Sequence, residues 1–241
     1  MKKRLPAFLT SIGLVRAIGS ITSVHVNDFL TPLPDQPFEY VREVSFTAST
    51  GDRLVGTYYG ARLVRAGVLV LEGFGSDQVT MRSLVNEFTD QGYCVFTFDF
   101  SGHGRSPGAL AFDNASTDRL AYQALSALDE FKRLSGLRAD QIFVVGHSLG
   151  ARVALQAATM NPEPVAGLIL LGTQVNLSTN TQSEFFTGTT DADLPWVRAI
   201  GPQNPPVPIF LISGGWDDIL TPAGAELLID KLTDHRYVER D

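Results

Sequence analysis

The chain has 241 residues, 44% of them apolar and 19% charged, which describes a globular protein with enough length for one domain and a sizeable core. A net charge of −7 with no basic stripe makes it a poor nucleic-acid binder. One cysteine, Cys94, excludes a disulfide framework and multi-cysteine metal centres, and four scattered histidines imply neither a metal nor any other cofactor.

The first 37 residues differ from the rest. Lys2, Lys3 and Arg4 precede a short apolar run over residues 5–15, which Arg16 interrupts. No small-x-small cleavage site follows, and no apolar run reaches the roughly 18 residues of a spanning helix. Pro32, Pro34 and Pro37 disfavour helix and mark an extended linker. The expected organisation is therefore a leader and linker over 1–37 and a folded domain over 38–241. The first expectation is a cytoplasmic protein with its leader packed on the domain or loosely ordered. The alternative is peripheral membrane contact through residues 1–15, or export. Oligomeric state is not readable.

From residue 38 onward strands alternate with helices. Residues 41–48 and 54–59 read as strands around a Gly51-Asp52 turn. The run Gly67-Val68-Leu69-Val70-Leu71 is apolar throughout, as in a strand covered on both faces. The pattern then predicts a helix over 79–91, a strand over 93–98 and a long helix over 117–134 capped by Thr117 or Ser116. A strand over 141–145, a helix over 149–160 and a strand over 165–171 follow. A polar stretch of about 35 residues holds at most a short helix around 193–200. A strand over 208–213 and a helix over 222–232 complete the pattern. Such alternation predicts an α/β protein: a mostly parallel twisted sheet with helices on both faces.

Gly146-His147-Ser148-Leu149-Gly150 fits G-x-S-x-G, with a β-branched strand running into it and an Ala-rich helix leaving it. That context demands a very tight strand-to-helix turn, which small residues at Gly146 and Gly150 permit. It would place Ser148 at a helix N-terminus, where developing negative charge is favoured.

With that motif the chain resembles the α/β-hydrolase superfamily over roughly 41–232. Leu71-Glu72-Gly73-Phe74-Gly75-Ser76, Asp99-Phe100-Ser101-Gly102-His103-Gly104-Arg105-Ser106 and Gly214-Gly215-Trp216-Asp217-Asp218 also carry the resemblance. The second stretch is most similar to the branch of serine aminopeptidases, monoglyceride lipases and small esterases. The resemblance implies that Ser148 is a nucleophile and that the backbone N–H groups of Leu149 and Phe74 form an oxyanion hole. Glu72 stands where many relatives have histidine. A carboxylate beside a developing oxyanion would be unhelpful, so Glu72 is expected to point away or to be paired.

The family pattern places the acid three residues after the glycine that closes the last described strand. Counting from Gly214 gives Asp217; counting from Gly215 gives Asp218, which also lies four residues before Pro222. The strand alignment favours Asp217, with Asp218 as the alternate and the other Asp as a helix cap. No histidine is well placed as base. His25 is in the leader, His147 adjoins Ser148 and cannot aim back at it, and His103 lies in a loop that is structural in relatives. His235 is right in chain order, but the helix before it runs about 15 Å away from the active edge. The base is therefore expected to be absent from this chain, through truncation, supply by a partner or loss of catalysis, with His235 and then His103 as alternates and the last strand incomplete.

The short polar stretch predicts a minimal lid and an open site, with Phe74, Phe185, Phe186 and Trp196 as candidate lining. The function expected first is hydrolysis of small to medium carboxylic esters through an acyl-enzyme on Ser148. A peptidase or amidase, and a hydrolase-fold protein without activity, are the alternatives. The partner is a small-molecule ester.

Overall fold

The computed structural model describes residues 15–18, 40–61, 64, 66–109, 114–173, 195–201, 204–214 and 222–232. Among these, eight strands form one sheet: β1 (Val15–Ile18), β2 (Tyr40–Thr47), β3 (Arg53–Gly60), β4 (Gly67–Leu71), β5 (Cys94–Asp99), β6 (Ile142–His147), β7 (Gly167–Leu171) and β8 (Ile209–Ile212). The helices are α1 (Arg82–Asp90), α2 (Asn114–Ser135), α3 (Leu149–Met160), α4 (Pro195–Ala199) and α5 (Pro222–Leu232). The spatial order of strands is β1-β8-β7-β6-β4-β5-β3-β2. Neighbours from β5 through β4, β6 and β7 to β8 are parallel, and the flanking pairs β2–β3, β3–β5 and β1–β8 are antiparallel. This is the mostly parallel α/β sheet predicted from the alternation.

The strand period of two sorts the core. Leu69, Leu71, Cys94, Phe96, Phe98, Ile142, Val144, Leu168 and Leu170 face one side, where α2, α3, α4 and α5 cover them. Val68, Val70, Val95 and Val145 face the other, beneath Met81 and Val85 at the start of α1. All five residues of β4 and all six of β5 are buried, which explains the unbroken apolar run of β4 and the largely apolar one of β5 up to Asp99. Burying each large side chain contributes about 1.5–3 kcal/mol, so Phe96, Phe98, Phe100 and Phe131, all 0% exposed, anchor this centre.

Several boundaries differ from the pattern-based ones. Helix α2 begins at Asn114, so Thr117 and Ser116 lie inside its first turn and do not cap it from outside. Helix α1 begins at Arg82 because residues 77–80 form a side-chain-closed turn: Thr80 N–H donates to Asp77 Oδ1 at 2.9 Å and Thr80 Oγ1 donates to Asp77 O at 2.6 Å. Val15–Ile18, within the segment read as a leader, pairs antiparallel with Ile209–Ile212 as an edge strand. No helix among the described residues is long and apolar enough to cross a membrane.

The chain leaves β4 toward β5 on one side and returns to β6 on the other. The switch in strand order therefore falls between β4 and β6, and the crevice outside their carboxyl ends is where open α/β sheets bind ligands. The segments leaving β4 and β6 are those that carry Phe74 and Ser148.

Candidate active site

The turn from β6 into α3 is as tight as the sequence predicts, and the reason is visible in the backbone. Ser148 has φ 51° and ψ −113°, the one positive-φ residue other than glycine among the described residues. Such a conformation costs about 1–3 kcal/mol and persists only where the surroundings enforce it. Here Ser148 N–H donates to Leu171 O at 2.8 Å, while Ser148 O accepts from Ala151 N–H and Arg152 N–H at 3.1 Å each. A Cβ on Gly146 would overlap the backbone of Gly150 and Ala151, and one on Gly150 would overlap the carbonyls of Leu71 and Glu72. Both positions therefore exclude any side chain. The second overlap also shows that the first turn of α3 rests directly on the end of β4.

That contact brings the segment after β4 beside Ser148. A Cβ on Gly73 would lie 2.9 Å from His147 Nδ1, so the exposed His147 ring lies against Gly73. Gly73 to Ser76 form a turn closed by Ser76 N–H to Gly73 O at 3.3 Å. Phe74 sits at its tip, 44% exposed. Leu149 N–H is the first of α3 and, like every opening N–H of a helix, has no acceptor within the helix.

Glu72 is 0% exposed, directed into the protein and paired. Its Oε1 accepts Phe100 N–H at 3.0 Å and lies 2.7 Å from His103 Nδ1. Its Oε2 has no hydrogen-bond partner among the described residues. Burial, with a smaller push from the nearby Asp99 charge, raises the Glu72 carboxyl to about 7 against the lowering pull of the bonds from His103 and Phe100 N–H. His103 is itself buried. Its Nε2 accepts a long hydrogen bond, 3.4 Å, from Gly75 N–H, and its ring meets those of Phe74 and Phe100 edge-on with centroids 5.9 and 6.5 Å apart.

Asp99, at the end of β5, completes the link between the two loops. It accepts Gln78 N–H, Gln78 Nε2 and Arg105 N–H, each at 2.8 Å. Ser106 Oγ donates to Asp99 O at 2.6 Å and accepts Val55 N–H at 2.9 Å. The Glu72–His103 pair is the part of this site that sequence reasoning missed. The signal was the carboxylate standing where relatives have histidine: the β4–β5 register pairs Val70 with Thr97, which sets Glu72 level with Asp99, at the mouth of the His103 loop.

Asp217, Asp218 and His235, the expected acid, its alternate and the alternate base, lie outside the described residues. So do Phe185, Phe186 and the side chain of Trp196. The structure thus brings together Ser148, Leu149, Gly146, Gly150 and the Phe74 turn, and of the expected charged residues places only those on the β4–β5 side.

Comparison with known proteins gives the family. The family model described as serine aminopeptidase, S33, matches residues 63–204, more than half of the chain. Protein phosphatase methylesterase 1 of Candida albicans is 35% identical over 117 residues, 48% of this chain and 31% of that protein. A provisionally assigned carbamate hydrolase, RutD, of Variovorax paradoxus is 30% identical over 151 residues, 62% of this chain and 52% of that protein. The chain thus spans from about a third to a half of the length of these curated relatives. A Pyrococcus furiosus esterase superposes with a TM-score of 0.64 over 91% of this chain and 84% of that chain at 18% identity, a likeness of fold. The chain belongs to the serine aminopeptidase S33 family of α/β-hydrolases.

Proposed function

We propose that the protein is a serine hydrolase that cleaves carboxylic esters of small to medium acyl groups through an acyl-enzyme on Ser148. The observation that carries this reading is the backbone at Ser148: a non-glycine residue held at positive φ between two positions where no side chain fits. Strain of this kind is kept where it exposes a reacting group. In this reading Ser148 Oγ attacks the ester carbonyl, and the carbonyl oxygen becomes an oxyanion held by Leu149 N–H and Phe74 N–H. The alkoxide leaves with the proton taken from Ser148, and water then attacks the acyl-enzyme by the same steps. Asp217, with Asp218 as the alternate, orients the base. His235 is the base if this chain supplies its own.

The test is turnover of p-nitrophenyl acetate and butyrate by the wild type and by Ser148→Ala. Loss of about a thousandfold or more in kcat/KM is expected, together with labelling of Ser148 by a fluorophosphonate. Equal turnover by the two proteins sinks the proposal. His235→Asn, measured alongside, shows whether this chain carries its own base. Because the matching family is described by a peptidase activity, aminoacyl p-nitroanilides are the second substrate set. Ser148-dependent cleavage of these without ester cleavage replaces the esterase reading by an amidase one.

A further inference from the structure

We infer that Glu72 and His103 are positioning residues that hold the Phe74–Gly75 turn in register with Ser148. The inference rests on the hydrolytic reading above and adds to it the residues that aim one oxyanion donor.

The hydrogen bonds fix the tautomer. Gly75 N–H can only donate, so His103 Nε2, which faces it, must be the unprotonated nitrogen. His103 Nδ1 therefore carries the hydrogen and donates it to Glu72 Oε1. Glu72 Oε1 takes this bond and the one from Phe100 N–H. The chain of contacts runs from the end of β5 through the carboxylate and the imidazole to the amide that follows Phe74. Edge-on packing of the Phe74 ring on His103 supports the same turn from the side-chain direction.

An added proton disrupts this arrangement wherever it settles. On Glu72 Oε2 it becomes a buried donor at an atom without a partner among the described residues. On His103 Nε2 it sets two donors, imidazole and Gly75 amide, against each other. The charged and titratable groups that act on Glu72 among the described residues are His103 and Asp99. That the Glu72 carboxyl is raised to about 7 places this proton uptake close to neutrality.

The experiment compares wild type, His103→Leu and His103→Gln. Fluorophosphonate labelling counts reactive serines, and kcat for p-nitrophenyl acetate is expressed per labelled site. His103→Leu is expected to lose about tenfold or more in kcat per site with KM within about twofold, because a misaimed oxyanion donor weakens only the transition state. His103→Gln, whose side-chain carbonyl can accept Gly75 N–H, is expected to recover most of that loss. A leucine variant with fewer labelled sites but wild-type kcat at each, or a glutamine variant no better than leucine, overturns the inference. Should the leucine variant fail to fold, the glutamine variant within about threefold of wild type supports the inference, and one that has lost about tenfold overturns it. Imidazole nitrogen NMR shifts of wild-type His103 decide the pair independently of turnover. Protonation at Nδ1 is expected, and protonation at Nε2 overturns the inference. Loss of the Ser148 dependence itself is a different outcome, which removes the hydrolytic reading and leaves the tautomer result standing.

Discussion

Glu72 and Asp99 end adjacent parallel strands, are buried alike, and exchange partners across the same two loops, yet they are satisfied very differently. Asp99, on β5, reaches into the loop after β4 and accepts three donors spread over both oxygens. Glu72, on the β4 side, reaches into the loop after β5 and accepts two donors, both on Oε1, leaving Oε2 buried without a partner among the described residues. A buried carboxylate is tolerated in proportion to the donors that replace its lost water. By that measure Asp99 is a completed staple, and Glu72 is a support with a proton site left open.

The largest effect that sharpens this contrast is expected from Asp99→Ala. It strands Gln78 N–H and Arg105 N–H in or beside the core and leaves Gln78 Nε2 only its longer bond to Val55 O, at about 1–3 kcal/mol for each donor that water cannot reach. A loss on the order of 3–5 kcal/mol is expected in urea unfolding. A loss below about 1 kcal/mol would mean that the loops are held by packing alone, and the contrast with Glu72 would disappear.

A smaller loss is expected from Gly104→Ala. Gly104 has φ +46°, and a Cβ there would fall on the Asp99 carboxylate. The methyl group can be accommodated only if Asp99 moves, so strain and a weakened staple add to roughly 2 kcal/mol. Combining it with Asp99→Ala should bring less than the sum of the two, since the group it clashes with is gone. Full additivity in the double variant would show that the backbone conformation, and not the staple, sets the cost.

How much of this was legible in the sequence follows from what is local and what is not. The apolar run of β4 and the Gly146–Gly150 turn are local patterns whose physical demands can be read from five residues. The helix starts at Arg82 and Asn114 depend on what lies before them: the Asp77–Thr80 turn holds α1 back, and α2 picks up an additional three residues of polar chain at its start. Edge strand β1 pairs with β8 from the opposite end of the chain, so a four-residue stretch after a basic start gave no strand signal of its own. Glu72 and His103 are 31 residues apart, and only the β4–β5 register brings them together. The sequence could require that Glu72 be paired; which residue paired it needed the sheet.

The most discriminating effect belongs to Glu72→Gln, because attraction and desolvation predict opposite signs. If the pair were held mainly by attraction between carboxylate and imidazolium, ionised Glu72 would stabilise the fold, and the wild type would gain on the variant as pH rises through the carboxyl range. Burial dominates instead, raising the carboxyl from 4.5 to about 7. The native protein therefore binds the proton more tightly than the unfolded chain does. The wild type should lose stability relative to Glu72→Gln as pH rises from about 4.5 to about 7, with a change on the order of 2–3 kcal/mol and little change outside that window. Urea unfolding of both proteins at pH 4.5, 6 and 8 measures it; a flat difference or one of opposite sign shows that desolvation does not govern Glu72. Activity should run the other way: the ionised carboxylate keeps His103 Nε2 open to Gly75 N–H, so the ratio of wild-type to variant kcat should rise with pH over the same interval. A catalytic base titrating nearby acts on both proteins and cancels in that ratio. Opposite slopes for stability and turnover across one window are what distinguish a residue retained to aim a loop from one retained to hold the fold together.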